Sequence, residues 1–439
     1  MNNLQSGQTA TVVGAGIAGL SAALLLRQKG VEVEIIDSSH EIGGLLAPIV
    51  HDGLELDRGS HRVHPEAHPL LLELTKEANW KPRPRSGTLI LGGKKLSYPL
   101  NPLRFVSGLG ARTSIDMGLG WLRRPNTLRR ALTWERDRHQ IFDDQGFEHF
   151  VVRRVGQAAY DRFYQPYARK VWGIEPSELS QTIAKQRVST SNPLSSILRR
   201  SAKNFLYPEK GMTELIDLLH SKLKKIGTKF TLGQRYDADA ISSGPIFYTG
   251  HLNHLIPTAK LTHRGLYLIH LTVSKDVLDE TDTWYTPESD YWFGRVSQPA
   301  AFSKSLCRPS ERVICVEIPE GQWGKKQDFV KRSDELMRQL TEAGILRRHV
   351  SPISIQQNFL PRVYPMYVRN WIHEHKETLA KVAERGEIFP CGRQGLFLHC
   401  NMDHAVETAA AAVDHWVDGG NSKTWVTQCQ EFSNFRVRD

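Results

Sequence analysis

The feature that most limits what this chain can fold into is a glycine loop near its start, Gly14-Ala15-Gly16-Ile17-Ala18-Gly19. The residues around it fix its setting. Thr9 to Val13 predicts a short buried strand, and Ile17 to Lys29 a helix with Leu20, Ala23 and Leu24 on one side, closed at Gly30. Val31 to Ile36 alternates apolar and acidic residues as a second strand. In a G-x-G-x-x-G loop between strand and helix, the first glycine makes the tight turn and the second lets a pyrophosphate approach the backbone. The third permits close packing of the helix, whose free N–H groups face the phosphates. Asp37 ends the second strand, 18 residues past Gly19, where a carboxylate can accept hydrogen bonds from a ribose hydroxyl. An acid there disfavours a 2′-phosphate and hence NADP. NAD and FAD both stay open on these residues alone.

A chain of 439 residues exceeds one ordinary core, so two domains or one interrupted domain are expected. A helix-rich middle runs from about Pro69 to Arg200, with breaks at residues 81–85, at 99–102 and at Pro125. From about Leu261 to Met366 the pattern becomes β-rich, at residues 265–273, 290–296, 313–318 and 353–359, with one helical stretch near 329–341. An antiparallel sheet carrying a substrate wall is the simplest account. Glu387 to Pro390, the glycines at 392 and 395, and a helix from about Met402 to Trp416 then return to the opening style. The nucleotide domain is therefore expected to be closed by both termini.

The net charge of +10 suits nucleic acid, anionic lipid or an acidic small molecule. The densest basic stretch, residues 123–138, is interrupted by Pro125, Trp134, Glu135 and Asp137. That pattern predicts helix surfaces with charges outward and no nucleic-acid partner; peripheral membrane contact is the weaker reading. Five cysteines form no C-x-x-C and make an odd number, which suits a reducing compartment and argues against a disulfide framework or a zinc site. No His, Cys or carboxylate set has ligand spacing, so no metal is expected. No apolar run reaches the roughly 18 residues that cross a bilayer, and the N-terminus lacks the regions of a secretory signal, so the expected address is cytoplasmic. Nothing in the pattern addresses the oligomeric state.

Further segments follow the glycine loop and Asp37 in order. They are Gly43-Gly44; Leu56-Asp57-Arg58-Gly59-Ser60-His61-Arg62; Leu96-Ser97-Tyr98-Pro99-Leu100; Lys170-Val171-Trp172-Gly173-Ile174 with Pro176 to Ser180; and Gly392-Arg393-Gln394-Gly395-Leu396-Phe397 with Asn401 to His404. In this order the chain resembles the flavin amine oxidase superfamily, in the branch of UDP-galactopyranose mutase and bacterial protoporphyrinogen-oxidase-like proteins. The resemblance implies an α/β fold. A Rossmann-like FAD-binding domain in three parts (residues 1–75, 205–260 and 385–439) would hold a helical insertion (76–204) and an antiparallel-sheet substrate domain (261–384). It implies non-covalent FAD. Gly14, Gly16 and Gly19 would hold the pyrophosphate and Asp37 the adenosine ribose. Gly43, Gly44, Gly59 and His61 would lie on the flavin side, and Gly392, Arg393, Met402 and Asp403 at the ribityl and isoalloxazine end. Asp403 in a helix start also suits an ordinary cap.

The same resemblance implies a small-molecule substrate, anionic or nucleotide-linked, met by Trp172, Arg187, Arg264 and Tyr364, because arginine forks bind phosphate oxygens in pairs. His61 and Tyr364 are the expected catalytic residues, managing protons beside the flavin. Two reactions follow. In the preferred one an FAD-dependent oxidoreductase takes hydride from a carbohydrate, sugar-nucleotide or natural-product intermediate to flavin N5. In the alternative, reduced FAD acts as nucleophile in a non-redox pyranose/furanose isomerase resembling UDP-galactopyranose mutase. Departures from the mutase pattern are Val171 where glutamine is usual, and Val188 to Ser191 where a second arginine follows Arg187. An apolar polycyclic substrate would need an aromatic pocket, for which Trp284, Tyr285, Tyr291, Trp292 and Phe293 stand equally as wall or as sheet core.

Overall fold

The structure is a computed structural model; it describes residues 7–98, 115–116, 118–120, 145–187, 204–239, 244–321 and 327–437. The arginine-rich segment 123–138, the break at 99–102 and residues 188–191 lie outside the described residues.

Five parallel strands form the sheet that carries the glycine loop. Their spatial order is Ile388–Pro390, Ile246–Tyr248, Thr9–Val13, Glu32–Asp37 and Lys229–Leu232. Helices cover a parallel sheet, so its strands place apolar side chains fully out of water. Val12, Ile35, Phe247 and Phe389 are wholly inaccessible, and each contributes roughly 1.5–3 kcal/mol by burial. The opening helix, Ile17–Gln28, lies against the closing helix, Met402–Val417. Both present alanines to the contact, Ala18, Ala22 and Ala23 on one, Ala405, Ala409 and Ala412 on the other, which lets the backbones approach closely. Both ends of the chain thus build one layer, as the strand-turn-helix signal at 387–416 implied.

A seven-stranded sheet runs in the order Ser354–Pro365, His263–Ser274, Glu311–Pro319, Arg295–Ser297, Thr283–Tyr285, Gly87–Leu91 and Lys94–Tyr98. All pairings are antiparallel except that of Thr283–Tyr285 with Gly87–Leu91. The segment 290–296, expected as strand, begins its strand only at Arg295. Residues 80–98, placed in the helix-rich middle, are strands. Trp80–Pro84 pairs with Asn204–Pro208, a two-stranded ribbon that tolerates Pro82 and Pro84. Gly92 and Gly93, at φ +61° and +68°, close a two-residue hairpin that only glycine-like residues form easily, and this Gly-Gly signal outweighs helix propensity.

Helices at Phe147–Val155, Gln165–Trp172 and Gln181–Arg187 supply the helical part of the middle. Trp284, Trp292 and Phe293 belong to the sheet core with Ile269 and Leu336, so the aromatic run resolves as core. Among the described residues no helix is long and apolar enough to cross a membrane.

Candidate functional site

The glycines of the loop are constrained in different ways. A Cβ on Gly14, whose φ is +107°, would sit 2.1 Å from Thr249 Oγ1, and one on Gly19 would sit 1.8 Å from the Gly14 carbonyl oxygen. Gly16 is different: the nearest atom to its missing Cβ is the Gly43 oxygen at 3.8 Å. A Cβ on Gly16 would make only ordinary contacts with Gly43 and Gly44, so no clash within the protein demands glycine there, and close approach of a pyrophosphate to the backbone is the fitting reason for it. Gly43 lies directly against this loop, donating its N–H to the Ala15 oxygen at 2.8 Å, and it and Gly44 both hold positive φ. Asp37 accepts from Ala15 N (2.6 Å) and Ser39 N (2.8 Å), one bond per carboxylate oxygen, which leaves a lone pair on each for a ribose hydroxyl.

The turn at residues 57–61 faces two ways. Asp57 is buried and accepts from Tyr207 Oη (2.6 Å) and Met212 N (2.9 Å); burial pushes its carboxyl up to about 6. It is a strut for the turn. Ser60 Oγ and His61 Nδ1, by contrast, are buried atoms with no partner. Buried polar groups are normally hydrogen-bonded, so two orphans on this turn fit a polar cofactor edge against it. Burial, then Arg295 and Arg393, push the His61 imidazole down to about 4. His61 is therefore neutral near pH 7 and works through hydrogen bonds, not charge.

The C-terminal segment locks onto the opening helix. A Cβ on Gly392 would lie 2.7 Å from Ala18 Cβ, and Gly392 N donates to Thr408 Oγ1 at 2.9 Å. Arg393 donates to the carbonyl oxygens of Val363 (3.0 and 3.1 Å) and Cys400 (2.7 Å), and its guanidinium lies over the Tyr364 ring. Asn401 caps the closing helix in a capping box with His404. Asp403 is not the cap; its carboxylate accepts from His68 N at 2.9 Å, while Met402 packs beside the core.

Tyr364 is the hub of the other side. Its ring lies 5.9 Å from Trp172 and 6.2 Å from His399, and in the sheet it stands opposite Arg264. Burial raises its hydroxyl, opposed by Arg295, Arg187 and Arg393. Arg264 is 6% exposed and donates Nε to the Glu320 oxygen at 2.8 Å, but both terminal nitrogens lack partners. Its guanidinium rests on Gly173, where a Cβ would come within 2.1 Å, and burial pushes its pKa down to about 10. Arg187 points both Nε (2.9 Å) and a terminal nitrogen (2.7 Å) at His399 Nε2.

The fold thus brings His61, Trp172, Arg187, Arg264, Tyr364 and Arg393 into one neighbourhood. Three residues there, Arg295, Glu317 and His399, stand in none of the motif segments that carry the resemblance, and a fourth, Lys170, stands in the Lys170 to Ile174 segment without an assigned role. Arg295 forms a two-bond pair with Glu317 (2.8 and 2.7 Å), and Glu317 also accepts from Ser60 N at 3.1 Å, joining the glycine turn to the arginine. His399 sits two residues beyond the Gly392 to Phe397 segment, within reach of that motif had it been extended. Lys170 is buried, donates to the oxygens of Thr286 (2.8 Å) and Phe293 (3.0 Å), and is pushed down to about 7 by burial. It ties the helix of Trp172 to the hairpin that leads into Arg295.

Comparison with known proteins adds independent findings. A model described as flavin containing amine oxidoreductase matches residues 17–237, and one described as UDP-galactopyranose mutase matches residues 162–338. The chain is 27% identical over 270 residues to a probable UDP-galactopyranose mutase of Klebsiella pneumoniae, covering 58% of this chain and 67% of that one. It is 25% identical over 183 residues to protoporphyrinogen oxidase 2 of Arabidopsis thaliana, covering 40% of this chain and 34% of that protein. It is 23% identical to the dTDP-fucopyranose mutase of Escherichia coli, covering 55% of this chain and 63% of the relative. In fold it is similar to a reduced UDP-galactopyranose mutase, with a TM-score of 0.78, 18% identity and 98% and 100% of the two chains covered. A putative protoporphyrinogen oxidase from Exiguobacterium gives a TM-score of 0.71 at 16% identity, with 94% and 99% covered.

Proposed function

Because the chain belongs to the flavin containing amine oxidoreductase family and binds FAD, we propose that it acts on an anionic, nucleotide-linked sugar and rearranges it without net oxidation. The observation that carries this reading is the convergence of Arg187, Arg264, Arg295 and Arg393 on Tyr364 and His399, beside the turn of His61. Four guanidinium groups around one tyrosine, two of them facing His61, favour a ligand that brings negative charge. The likeness to two sugar-nucleotide mutases over more than half of the chain supports the same class.

FAD supplies a two-electron carrier there and, when reduced, a nucleophilic ring nitrogen. The chain's own residues do the rest. Arg264, with two unspent terminal nitrogens, and Arg187 hold phosphate oxygens; Arg264 stands in for the second arginine missing after Arg187. Trp172 walls the pocket, and Tyr364 orients a sugar hydroxyl. His61, neutral, offers a hydrogen bond at Nδ1 on the flavin side.

A second reading is hydride removal by an oxidoreductase, favoured by the missing arginine and by the likeness to protoporphyrinogen oxidase 2. One experiment separates the two. The yellow protein is photoreduced without oxygen and offered sugar nucleotides; isomerised product with the flavin still reduced supports the mutase reading. Bleaching of oxidised flavin by the substrate sinks it and leaves the oxidoreductase.

A further inference from the structure

His399 is 2% exposed, and its backbone N–H donates to the Tyr367 hydroxyl at 2.8 Å, which fixes the residue at the end of the segment leading to the closing helix. Its side chain has an unusual partner. A guanidinium is always protonated and only donates, yet Arg187 aims two nitrogens at the same ring atom, Nε2. That atom must therefore present a lone pair, and the ring proton must sit on Nδ1. Burial and the adjacent Arg187 and Arg393 hold the imidazole well below its usual value, so it stays singly protonated. The Nδ1 atom is buried and has no hydrogen-bond partner. The ring is neighboured by Trp172 at 5.4 Å and Tyr364 at 6.2 Å, the two aromatic side chains of the candidate site.

We infer that Arg187 locks His399 in the Nδ1–H tautomer, making it a substrate-binding donor whose free N–H is offered to an anionic ligand oxygen beside Trp172 and Tyr364. An orphaned donor in a nearly inaccessible place is unfavourable until something accepts from it, and a charged acceptor makes the stronger bond. Arg187 then has two tasks: it adds positive charge, and it sets which nitrogen of its neighbour can donate. The inference rests on the anionic substrate proposed above.

The test uses the FAD-loaded full chain labelled with 15N-histidine, the His399 signals being assigned by their absence from His399→Asn. The expected result at pH 7 is a protonated Nδ1 and an unprotonated Nε2, with the Nδ1 signal moving when UDP is added. An Nε2–H tautomer would overturn the inference. So would UDP that perturbs the flavin spectrum while leaving Nδ1 unmoved. Should UDP not bind at all, the nucleotide reading fails separately, and inorganic pyrophosphate then serves as the anion; an unmoved Nδ1 overturns the inference in that case too. In a second arm, His399→Asn keeps an amide donor near the Nδ1 position and His399→Gln keeps one near Nε2. The Asn variant is expected to hold UDP within about three-fold of the parent and the Gln variant to lose about ten-fold or more. Equal affinity in the Gln variant and the parent contradicts the tautomer assignment.

Discussion

The two halves of the site are built by opposite means. On the side proposed for the nucleotide the surface is backbone: glycines whose missing side chains leave room, and amide groups at a helix start. On the side proposed for the substrate it is side chains, Arg187, Arg264, Arg295, Tyr364 and His399, delivered from segments far apart in sequence. The first half is rigid in its own right, because Gly14, Gly19 and Gly392 already touch other parts of the protein at the limit of contact. The second half carries unspent hydrogen-bonding capacity at Arg264 and His399. A backbone site is completed by what it omits, and a side-chain site by what it leaves unpaired.

The largest expected effect tests the rigid half. Gly19→Val should abolish folding of the nucleotide layer and all FAD retention, since the new Cβ would sit 1.8 Å from a backbone oxygen. Gly16→Ala should separate space from stability: a Tm within about 2 °C of the parent, with most bound flavin lost on gel filtration. Parent-like FAD content in that variant would break the contrast, because a Cβ at Gly16 would then not interfere with the cofactor.

Glu317→Gln probes the joint between the halves. Removing one member of the Arg295 pair should lower stability by about 2–3 kcal/mol, the partly exposed arginine being screened below the loss expected of a wholly buried pair. Urea unfolding gives the number, and flavin content should fall with it because the glutamine amide can accept from Ser60 N or from Arg295 but no longer balances the guanidinium that holds this joint.

Acid should act on the whole frame. His270 and His375 are nearly inaccessible, and burial pushes them down to about 3 and about 4. A histidine lowered on folding adds stability that is full above the unfolded value, near pH 6.5, and is lost as pH falls through the folded one. Each should contribute on the order of 2 kcal/mol of destabilisation by pH 5. Unfolding midpoints at pH 7 and pH 5 check this, and a flat profile would contradict the assignment. Asp57, raised to about 6, has the opposite sign, its contribution full below about pH 4 and lost as pH rises through about 6.

The smallest effect sharpens the comparison most. Arg264→Met removes a buried guanidinium with two idle nitrogens, so the ligand-free protein should gain up to about 1 kcal/mol while affinity for UDP falls ten-fold or more. A loss of stability there would mean that Arg264 is structural.

This division also explains what could be read in advance. Glycine loops, Asp37 and the Gly392 segment are contiguous, and backbone approach admits few residue types, so they showed in the sequence. Trp172, Arg187, Arg264 and Tyr364 were reached through a family resemblance, and the fold does gather them. Arg295 and Glu317 were not legible, because a pairing between neighbouring strands leaves no spacing rule. His399 was missed because its role depends on Arg187, 212 residues away. The strands at 80–98 fall inside the stretch expected to be helix-rich between its breaks, because short apolar runs suit either period and only the Gly92-Gly93 pair marks the hairpin.

The parallel layer has a temporal consequence. Its strand Ile388–Pro390 pairs with Ile246–Tyr248, which pairs with Thr9–Val13, and the opening helix lies on the helix that ends at Val417. A ribosome releases the glycine loop long before the helix Met402–Val417 that lies on its own helix. The loop must wait with its apolar neighbours uncovered until residues 388–417 emerge, so capture of the flavin follows them and chains that stop short of them emerge colourless.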